Sequence, residues 1–213
     1  MLKVALIGMS GSGKTFWSNQ LAKCGYGMVS CDDRIEQKLG AELSAAGHRG
    51  IGGVAAWMGW PDSSTYRERE QKYLQCEIAV MREILDEVAR APGEKIVVDT
   101  TGSVIYTGKD LCGKLREQAT VVYLEASAEQ RATLIERYLQ DPKPVLWGEQ
   151  FQPSTGETPR EAIARCYPQL IAFRKNLYEE LAHRVVPISG LRGAHLTGDD
   201  FLRILQEQAR PAR

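Results

Sequence analysis

Eight residues near the beginning of the chain have the types and the spacing that bind a polyphosphate. The segment Gly8 to Thr15 reads GMSGSGKT and matches the pattern G-x-x-x-x-G-K-S/T. Its glycines allow consecutive backbone N–H groups to converge on phosphate oxygens, while Lys14 would bridge the β- and γ-phosphates and Thr15 would ligate Mg²⁺. ATP and Mg²⁺ are therefore the predicted cofactors. The loop residues that we predict to bind nucleotide are Gly8, Ser10, Gly11, Ser12, Gly13, Lys14 and Thr15.

The surroundings of this loop favour the same interpretation. An apolar segment, residues 2–8, precedes it, and a helical segment that contains Phe16, Trp17 and Leu21 follows it. A strand, a glycine-rich loop and a helix in this order form the context in which the motif binds phosphate. The motif alone does not distinguish a kinase from a GTPase or a motor protein.

An acidic residue at the end of a later apolar segment is a second candidate for the metal site. Asp99 follows Ile96, Val97 and Val98, at the position where many P-loop enzymes keep an aspartate that organises magnesium. We therefore predict that Thr15 and Asp99 together hold the metal. The alternative is that Asp99 only satisfies backbone donors at the end of a strand.

Apolar segments dense in Val, Ile and Leu alternate along the chain with longer segments of helical period. The apolar segments cover residues 2–8, 27–30, 95–100, 120–126 and 183–189, and they predict the strands of a sheet that is buried on both faces. This alternation predicts an α/β fold, which we interpret as a three-layer α/β/α P-loop NTPase fold with a five-stranded parallel sheet. One such domain, residues 1–213, accounts for the whole length.

Two segments interrupt the alternation. Residues 40–64 are rich in Gly, Ala and Trp, and residues 141–159 contain four prolines. We interpret the first segment as part of a helical substrate-binding lobe over about residues 32–75, and the second as part of a mobile lid over about residues 138–168. A long helix is predicted between these two segments, over residues 65–90.

Five short motifs that follow the phosphate-binding loop resemble those of the shikimate kinase family. Ser30 to Glu36 (SCDDRIE) is similar to the D-x-D-x-x-I-E motif of that family, and Tyr66 to Glu70 (YRERE) is similar to F-R-x-x-E. Gly102 lies where the family has a glycine triplet, and Lys143 to Leu146 (KPVL) lies where it has a lid motif R-P-L-L. Arg174 to Tyr178 (RKNLY) resembles R-x-P-L-Y. The motifs occur in the family's order over nearly the whole chain.

This resemblance implies a kinase that transfers the γ-phosphoryl group of ATP to a hydroxyl of a small anionic metabolite. It implies that Asp32 contacts the accepting hydroxyl, that Lys143 supplies a cation from the lid and that Arg137 stacks on adenine. Lys14, Asp32 and Lys143 are then the predicted catalytic residues. The predicted substrate-binding residues are Asp32, Arg67, Thr101, Gly102, Ser103 and Arg174, of which the two arginines would clamp a carboxylate.

Each of these residues also has a simpler interpretation. Asp32 could cap the helix that begins near Asp33. Arg67, in a run of charged residues, and Arg174, beside a lysine, could lie on exposed helix faces. Lys143 could be an ordinary loop charge.

The sequence departs from the family pattern at three places. Ser30 replaces the first acid of D-x-D, Lys143 replaces the lid arginine, and Thr101 and Ser103 flank Gly102 where the family has bare glycines. The hydroxyls of Thr100, Thr101 and Ser103 could bind a differently substituted ring or donate to phosphate. These changes leave two rival hypotheses open. In the first, the chain is a kinase whose acceptor is another hydroxylated acid, a sugar or a cyclitol. In the second, the chain is a nucleotide-sensing P-loop module with little transferase activity.

Composition argues against several other classes of protein. Lys and Arg number 27 and Asp and Glu number 27, and no basic block suggests a nucleic-acid site. The five cysteines are widely spaced without a C-x-x-C pair, which predicts free thiols. The first apolar run is too short for a signal peptide or a membrane span. We expect a cytoplasmic monomer or weak homodimer that acts on a small molecule, without nucleic-acid or membrane partners.

Overall fold

The computed structural model describes residues 2–191 and 196–207 of the chain. The strands are β1 (Lys3–Ile7), β2 (Gly27–Ser30), β3 (Ile96–Asp99), β4 (Thr120–Glu125) and β5 (Arg184–Pro187). They form one parallel sheet in the order β2-β3-β1-β4-β5. All five predicted strands are confirmed, and no strand end differs from the expected one by more than two residues.

Helices connect the strands and lie on both faces of the sheet. They are α1 (Lys14–Lys23), α2 (Cys31–Lys38), α3 (Gly40–Ala45), α4 (Gly50–Met58), α5 (Tyr66–Arg90), α6 (Lys109–Gln118), α7 (Ala128–Gln140), α8 (Pro159–Leu181) and α9 (Gly198–Glu207). α1 contacts β1, β2 and β3, whereas α6 and α8 contact β4. The three-layer α/β/α P-loop fold predicted from the sequence is confirmed.

The register of the sheet brings three strand ends together beside the phosphate-binding loop. Leu6 of β1 and Ser30 of β2 both pair with Asp99 of β3. Because the strands are parallel, their carboxyl ends meet at one edge, where the loop that follows β1 also begins. Residues that follow β1, β2 and β3 therefore share one crevice.

The segment that we interpreted as a substrate-binding lobe is helical. It contains α2, α3, α4 and the first turns of α5, and apolar side chains such as Leu43, Val54 and Met58 are buried there. α2 packs against α5 and α4, so the lobe is attached to the long helix. The long helix predicted over residues 65–90 is confirmed as Tyr66–Arg90.

Part of the predicted lid belongs to the core. Val145, Leu146 and Trp147 are buried, and the indole of Trp147 packs beside Phe151 and Tyr167. α8 begins after this segment with a capping box in which Thr158 and Glu161 bond each other's backbone N–H groups. Among the described helices, none combines the length and the apolar character that a membrane crossing requires.

Candidate active site

The phosphate-binding loop has a backbone that only glycine accommodates at its key positions. Gly8, Gly11 and Gly13 have φ of 139°, 79° and 95°. A Cβ on Gly8 would lie 2.9 Å from the carbonyl oxygen of Leu124 on the neighbouring strand. Gly13 immediately precedes α1, so the N-terminus of that helix points its free N–H groups toward the loop.

Lys14 is buried within the loop. Its Nζ donates to the carbonyl oxygens of Gly8 at 2.9 Å and Met9 at 3.2 Å. Burial lowers the pKa of Lys14, and the neighbouring carboxyls of Asp99 and Asp32 oppose that shift. The ammonium is thus held beneath the loop, electrostatically coupled to both acids.

Asp99 and Thr15 form the candidate metal site. Asp99 is buried at the end of β3 beside Thr15, and its Oδ1 has no partner among the described residues. Burial raises the pKa of Asp99, while the Thr15 hydroxyl and the charge of Lys14 lower it. An orphaned carboxylate oxygen beside a hydroxyl fits Mg²⁺, which usually keeps several waters and binds substrate phosphates. The described residues contain no cluster of three or more His, Cys, Asp and Glu side chains that could hold a metal.

Asp32 lies in the first turn of α2, immediately after β2. Ser30 caps this helix by accepting a hydrogen bond from the backbone N–H of Asp33 at 3.2 Å. The alternative interpretation of Asp32 as a helix cap is therefore wrong, because the cap is Ser30. The pKa of Asp32 is raised to about 6, mainly by burial. The charge of Lys14 opposes this shift, and the charge of Asp99 adds to it. Tyr73 of α5 is buried close to Asp32, and its hydroxyl lowers the pKa of that carboxyl.

Thr101 and Ser103 bond to an acid that the sequence analysis did not single out. Thr101 Oγ1 donates to Glu77 Oε1, and Ser103 Oγ donates to Glu77 Oε2 at 2.7 Å. Gly102 lies between them, near the backbone N–H of Ser10. Both hydroxyls donate to Glu77, so they could contact an acceptor only through their oxygen lone pairs, and their role in binding the acceptor stays a prediction.

Arg174 is buried, with 2% of its surface exposed. Its Nη1 donates to the carbonyl of Gly102 at 3.1 Å, its Nη2 to the carbonyl of Leu146 at 2.6 Å and its Nε to the hydroxyl of Tyr106 at 3.2 Å. The alternative that Arg174 is a surface residue is therefore wrong. The guanidinium lies beside Gly102, but neutral oxygens occupy most of its donors.

Arg67 is in a different environment. Its side chain is 59% exposed and its Nη1 lies 3.2 Å from Glu149 Oε1. Arg67 and Arg174 thus have different partners in the described chain, and the two-arginine clamp remains a prediction.

The lid residues Lys143 and Arg137 do lie near the phosphate-binding loop. They line a pocket of about 210 Å³ together with Ser10 and Gly11 of that loop. Lys143 Nζ forms an ion pair with Asp141 at 2.7 Å. The structure therefore places both predicted lid cations on one cavity with the loop, and leaves their roles as predictions.

Three functional candidates were missed in the sequence, namely Glu70, Tyr73 and Glu77. All three lie on the buried face of α5. Their spacing of three and four residues continues the apolar stripe of that helix, so a polar group on a core-facing stripe was the signal that could have identified them.

Comparisons with known proteins agree with this geometry. Residues 4–148 match the AAA domain family. Shikimate kinase 2 of Sodalis glossinidius (strain morsitans) is 28% identical over 185 residues, which cover 86% of this chain and 85% of that protein. A shikimate kinase of Histophilus somni (strain 2336) is 28% identical over 190 residues, which cover 86% of this chain and 84% of that protein.

Solved structures of shikimate kinases share the fold. The enzyme of Acinetobacter baumannii in complex with shikimate superposes with a TM-score of 0.61 at 22% identity, over 99% of this chain and 96% of that one. The enzyme of Bacteroides thetaiotaomicron superposes with a TM-score of 0.61 at 17% identity, over 97% of each chain. The resemblance indicated by the sequence motifs is thus matched by relatives along most of the chain.

Proposed function

Because the chain belongs to the AAA domain family and resembles the shikimate kinases in sequence and fold, we propose that it is an ATP-dependent small-molecule kinase. The observation that carries the proposal is the convergence of Lys14, Asp32 and Asp99 at the carboxyl ends of the strands. A phosphate-binding loop, a metal-binding acid and a carboxylate able to accept a proton are the parts that phosphoryl transfer to a hydroxyl requires.

The proposed reaction uses each of these residues. The loop N–H groups and Lys14 bind the phosphates of ATP, and Thr15 and Asp99 would hold Mg²⁺, which neutralises charge on the transferred group. The acceptor oxygen forms a bond to the γ-phosphorus while the bond to the bridging oxygen of ADP breaks. Asp32 accepts the proton of the acceptor hydroxyl. With a pKa of about 6, Asp32 is mostly ionised at pH 7 and can act as this base.

The lid would exclude water during transfer. Lys143 and Arg137 line the cavity beside Ser10 and Gly11, so their charges would approach the phosphates of a bound nucleotide. Exclusion of water prevents hydrolysis of ATP in place of transfer. A cytoplasmic location and a monomeric or weakly dimeric state stay predictions.

For the acceptor, we propose shikimate or a closely related hydroxylated anion. The resemblance to shikimate kinases and a buried guanidinium, Arg174, beside Gly102 support this choice. A second candidate is a different hydroxylated acid, sugar or cyclitol. The side chains of Thr101 and Ser103 favour it, because the shikimate kinase family has glycines without side chains at these positions.

The test is ADP production from Mg-ATP by the purified protein, with shikimate and with a panel of other hydroxy acids, sugars, cyclitols and nucleoside monophosphates. Stimulation by shikimate supports the first acceptor, and stimulation by another compound reassigns it. ATP binding without stimulation by any member would contradict the kinase proposal and favour a nucleotide-sensing module. Asp32→Asn is the matched variant, since it keeps the shape of the side chain and removes the base.

A further inference from the structure

A second cavity lies at the end of the sheet opposite the phosphate-binding loop. Its volume is about 420 Å³. Three of the residues that line it are the first residues of strands, namely Lys3 of β1, Thr120 of β4 and Arg184 of β5. These strands are parallel neighbours, so their amino ends meet at this edge, whereas the candidate active site occupies their carboxyl ends. The cavity is therefore separate from the site described above.

The charged side chains that line this cavity are mostly basic. Lys3, Arg116 and Arg184 stand against one acid, Glu117, and three basic side chains against one acid leave a net charge of +2 when His183 is neutral. Within residues 2–191 and 196–207, none of the three basic side chains forms an ion pair. Lys3 Nζ donates to a backbone carbonyl of α5 at 2.5 Å, so this ammonium is engaged. The two guanidinium groups have no counter-ion in the described chain.

The end of α8 holds Arg116 in place. Its Nη1 donates to the carbonyl oxygens of Glu180 at 3.1 Å, Leu181 at 2.8 Å and Ala182 at 2.9 Å. These carbonyls end the helix and have no partner within it, so the guanidinium satisfies them. Nε and Nη2 of Arg116 have no hydrogen-bond partner among the described residues. One part of the guanidinium is thus fixed, and the Nε–Nη2 edge can donate to two oxygens of a ligand.

Arg184 also has donors that the described chain does not satisfy. Its Nη1 donates to the carbonyl oxygen of His183 at 2.7 Å. Its Nε is buried and has no acceptor in the part of the chain that the structure describes. A buried donor without an acceptor lowers stability, and a bound anion is one partner that removes this loss.

His183 adds a neutral donor to the same cavity. The backbone N–H of Val121 donates to its Nδ1 at 3.1 Å, so the neutral imidazole carries its proton on Nε2. The pKa of His183 is lowered by burial and by the positive charges of Arg116 and Arg184. An anion bound between the two arginines offsets those charges and raises this pKa, which makes the imidazole a reporter of binding.

We propose that this cavity binds a small dianionic phosphate group, as inorganic phosphate or as part of a phosphate monoester, between Arg116 and Arg184. Arginine forks match the oxygens of a phosphate bidentately, and two of them supply more donors than the two oxygens of one carboxylate need. The cavity is also roomy enough for a small organic substituent on the phosphate. The inference does not depend on the proposed kinase function, because it concerns the opposite end of the sheet.

The NMR resonances of the His183 imidazole test the proposal without turnover. Inorganic phosphate, added to the protein at constant ionic strength and at about pH 7.5 where it is mostly dianionic, should shift these resonances saturably and raise the pKa of His183. Acetate should bind at least about tenfold more weakly, because a carboxylate has one charge and two oxygens. Glycerol 3-phosphate is the second probe. Tighter binding than that of inorganic phosphate identifies a monoester as the preferred ligand, and weaker binding identifies the free ion.

Matched variants localise the response. Arg184→Gln removes one fork without removing the bonds of Arg116 to α8, and it should weaken phosphate binding by about tenfold or more. Arg184→Lys keeps the charge without the fork and should bind with intermediate affinity. Arg203→Gln, at a side chain on α9 that is 67% exposed and does not line the cavity, should respond as wild type does. Lys14→Ala should also keep the response, because Lys14 belongs to the other phosphate site.

Several results would overturn the proposal. They are an absence of saturable shifts with either phosphate probe, equal responses to phosphate and acetate, and unchanged affinity in Arg184→Gln. Loss of the His183 response in Lys14→Ala would overturn it too, because the phosphate would then be bound at the loop.

Discussion

The hydroxyl of Tyr66 lies 2.6 Å from the carbonyl oxygen of Val145, which is 79 residues further along the chain. The Tyr66 hydroxyl oxygen accepts from the backbone N–H of Trp147 at 3.1 Å, and Glu70 Oε1 accepts from the backbone N–H of Gly148 at 2.8 Å. Two side chains one helical turn apart on α5 therefore satisfy three backbone polar groups of the predicted lid. This contact connects the first turn of α5 with residues 145–148.

Replacing Tyr66 by Phe should loosen the lid. The variant leaves the Val145 carbonyl and the Trp147 N–H without a partner in a buried region, which costs about 1–3 kcal/mol. We expect a lower free energy of unfolding in urea, and faster hydrogen exchange at Trp147 and Gly148 than in wild type.

The exposed ion pair between Arg67 and Glu149 provides the control for that experiment. Because both side chains are solvated, Glu149→Ala should change stability by less than about 1 kcal/mol. Exchange at Trp147 that is as slow in Tyr66→Phe as in wild type would show that the buried packing of residues 145–147 is sufficient to hold the lid.

The two arginines predicted to clamp a carboxylate should differ in their effects on stability. Arg174→Ala removes donors from the buried carbonyls of Gly102 and Leu146 and should destabilise the protein by about 2–5 kcal/mol. Arg67→Ala should leave stability nearly unchanged. If both arginines bind the acceptor, both variants raise its KM far more than the KM for ATP. Unchanged acceptor KM in the two folded variants would place the acceptor elsewhere.

The sheet and the phosphate-binding loop could be predicted from short stretches of sequence. A buried strand is visible as a run of a few apolar residues, and the loop is visible as an eight-residue motif with glycines at fixed positions. The environments of Arg174 and Glu77 could not be predicted in this way. Arg174 bonds to carbonyls that are 72 and 28 residues away in the sequence. Glu77 lies on the helix that precedes β3, and its partners Thr101 and Ser103 follow that strand. A charged residue in a charged sequence is expected to be exposed, and only the tertiary fold brings these partners to it.

Lys14→Ala should abolish most phosphoryl transfer while the protein stays folded. The ammonium is the cation that would contact the β- and γ-phosphates, and loss of one such electrostatic contact costs about 10²- to 10³-fold in kcat. Circular dichroism should be unchanged, since only the Gly8 and Met9 carbonyls lose a donor. Lys23→Ala, at the exposed end of the same helix, should keep wild-type activity. Near-normal turnover in Lys14→Ala would contradict the role of the loop.

The stability of the protein should depend on pH through Glu77. Burial raises its pKa to about 7 in the folded protein, whereas the ordinary value that applies to the unfolded chain is 4.5. Between these values the folded state binds more protons than the unfolded state, so stability falls as the pH rises through this window and levels off above it. The glutamine side chain in Glu77→Gln does not titrate, so this variant does not lose stability in that pH window.

The comparison of the two proteins isolates the contribution of Glu77, because most other groups titrate alike in both. The stability of Glu77→Gln relative to wild type should rise by on the order of 2 kcal/mol between pH 5 and pH 8, measured by urea unfolding at each pH. Glu83→Gln, whose side chain is 54% exposed on the same helix, should show a difference from wild type that changes little with pH. Parallel pH profiles for wild type and Glu77→Gln would contradict a raised pKa of Glu77 in the folded protein.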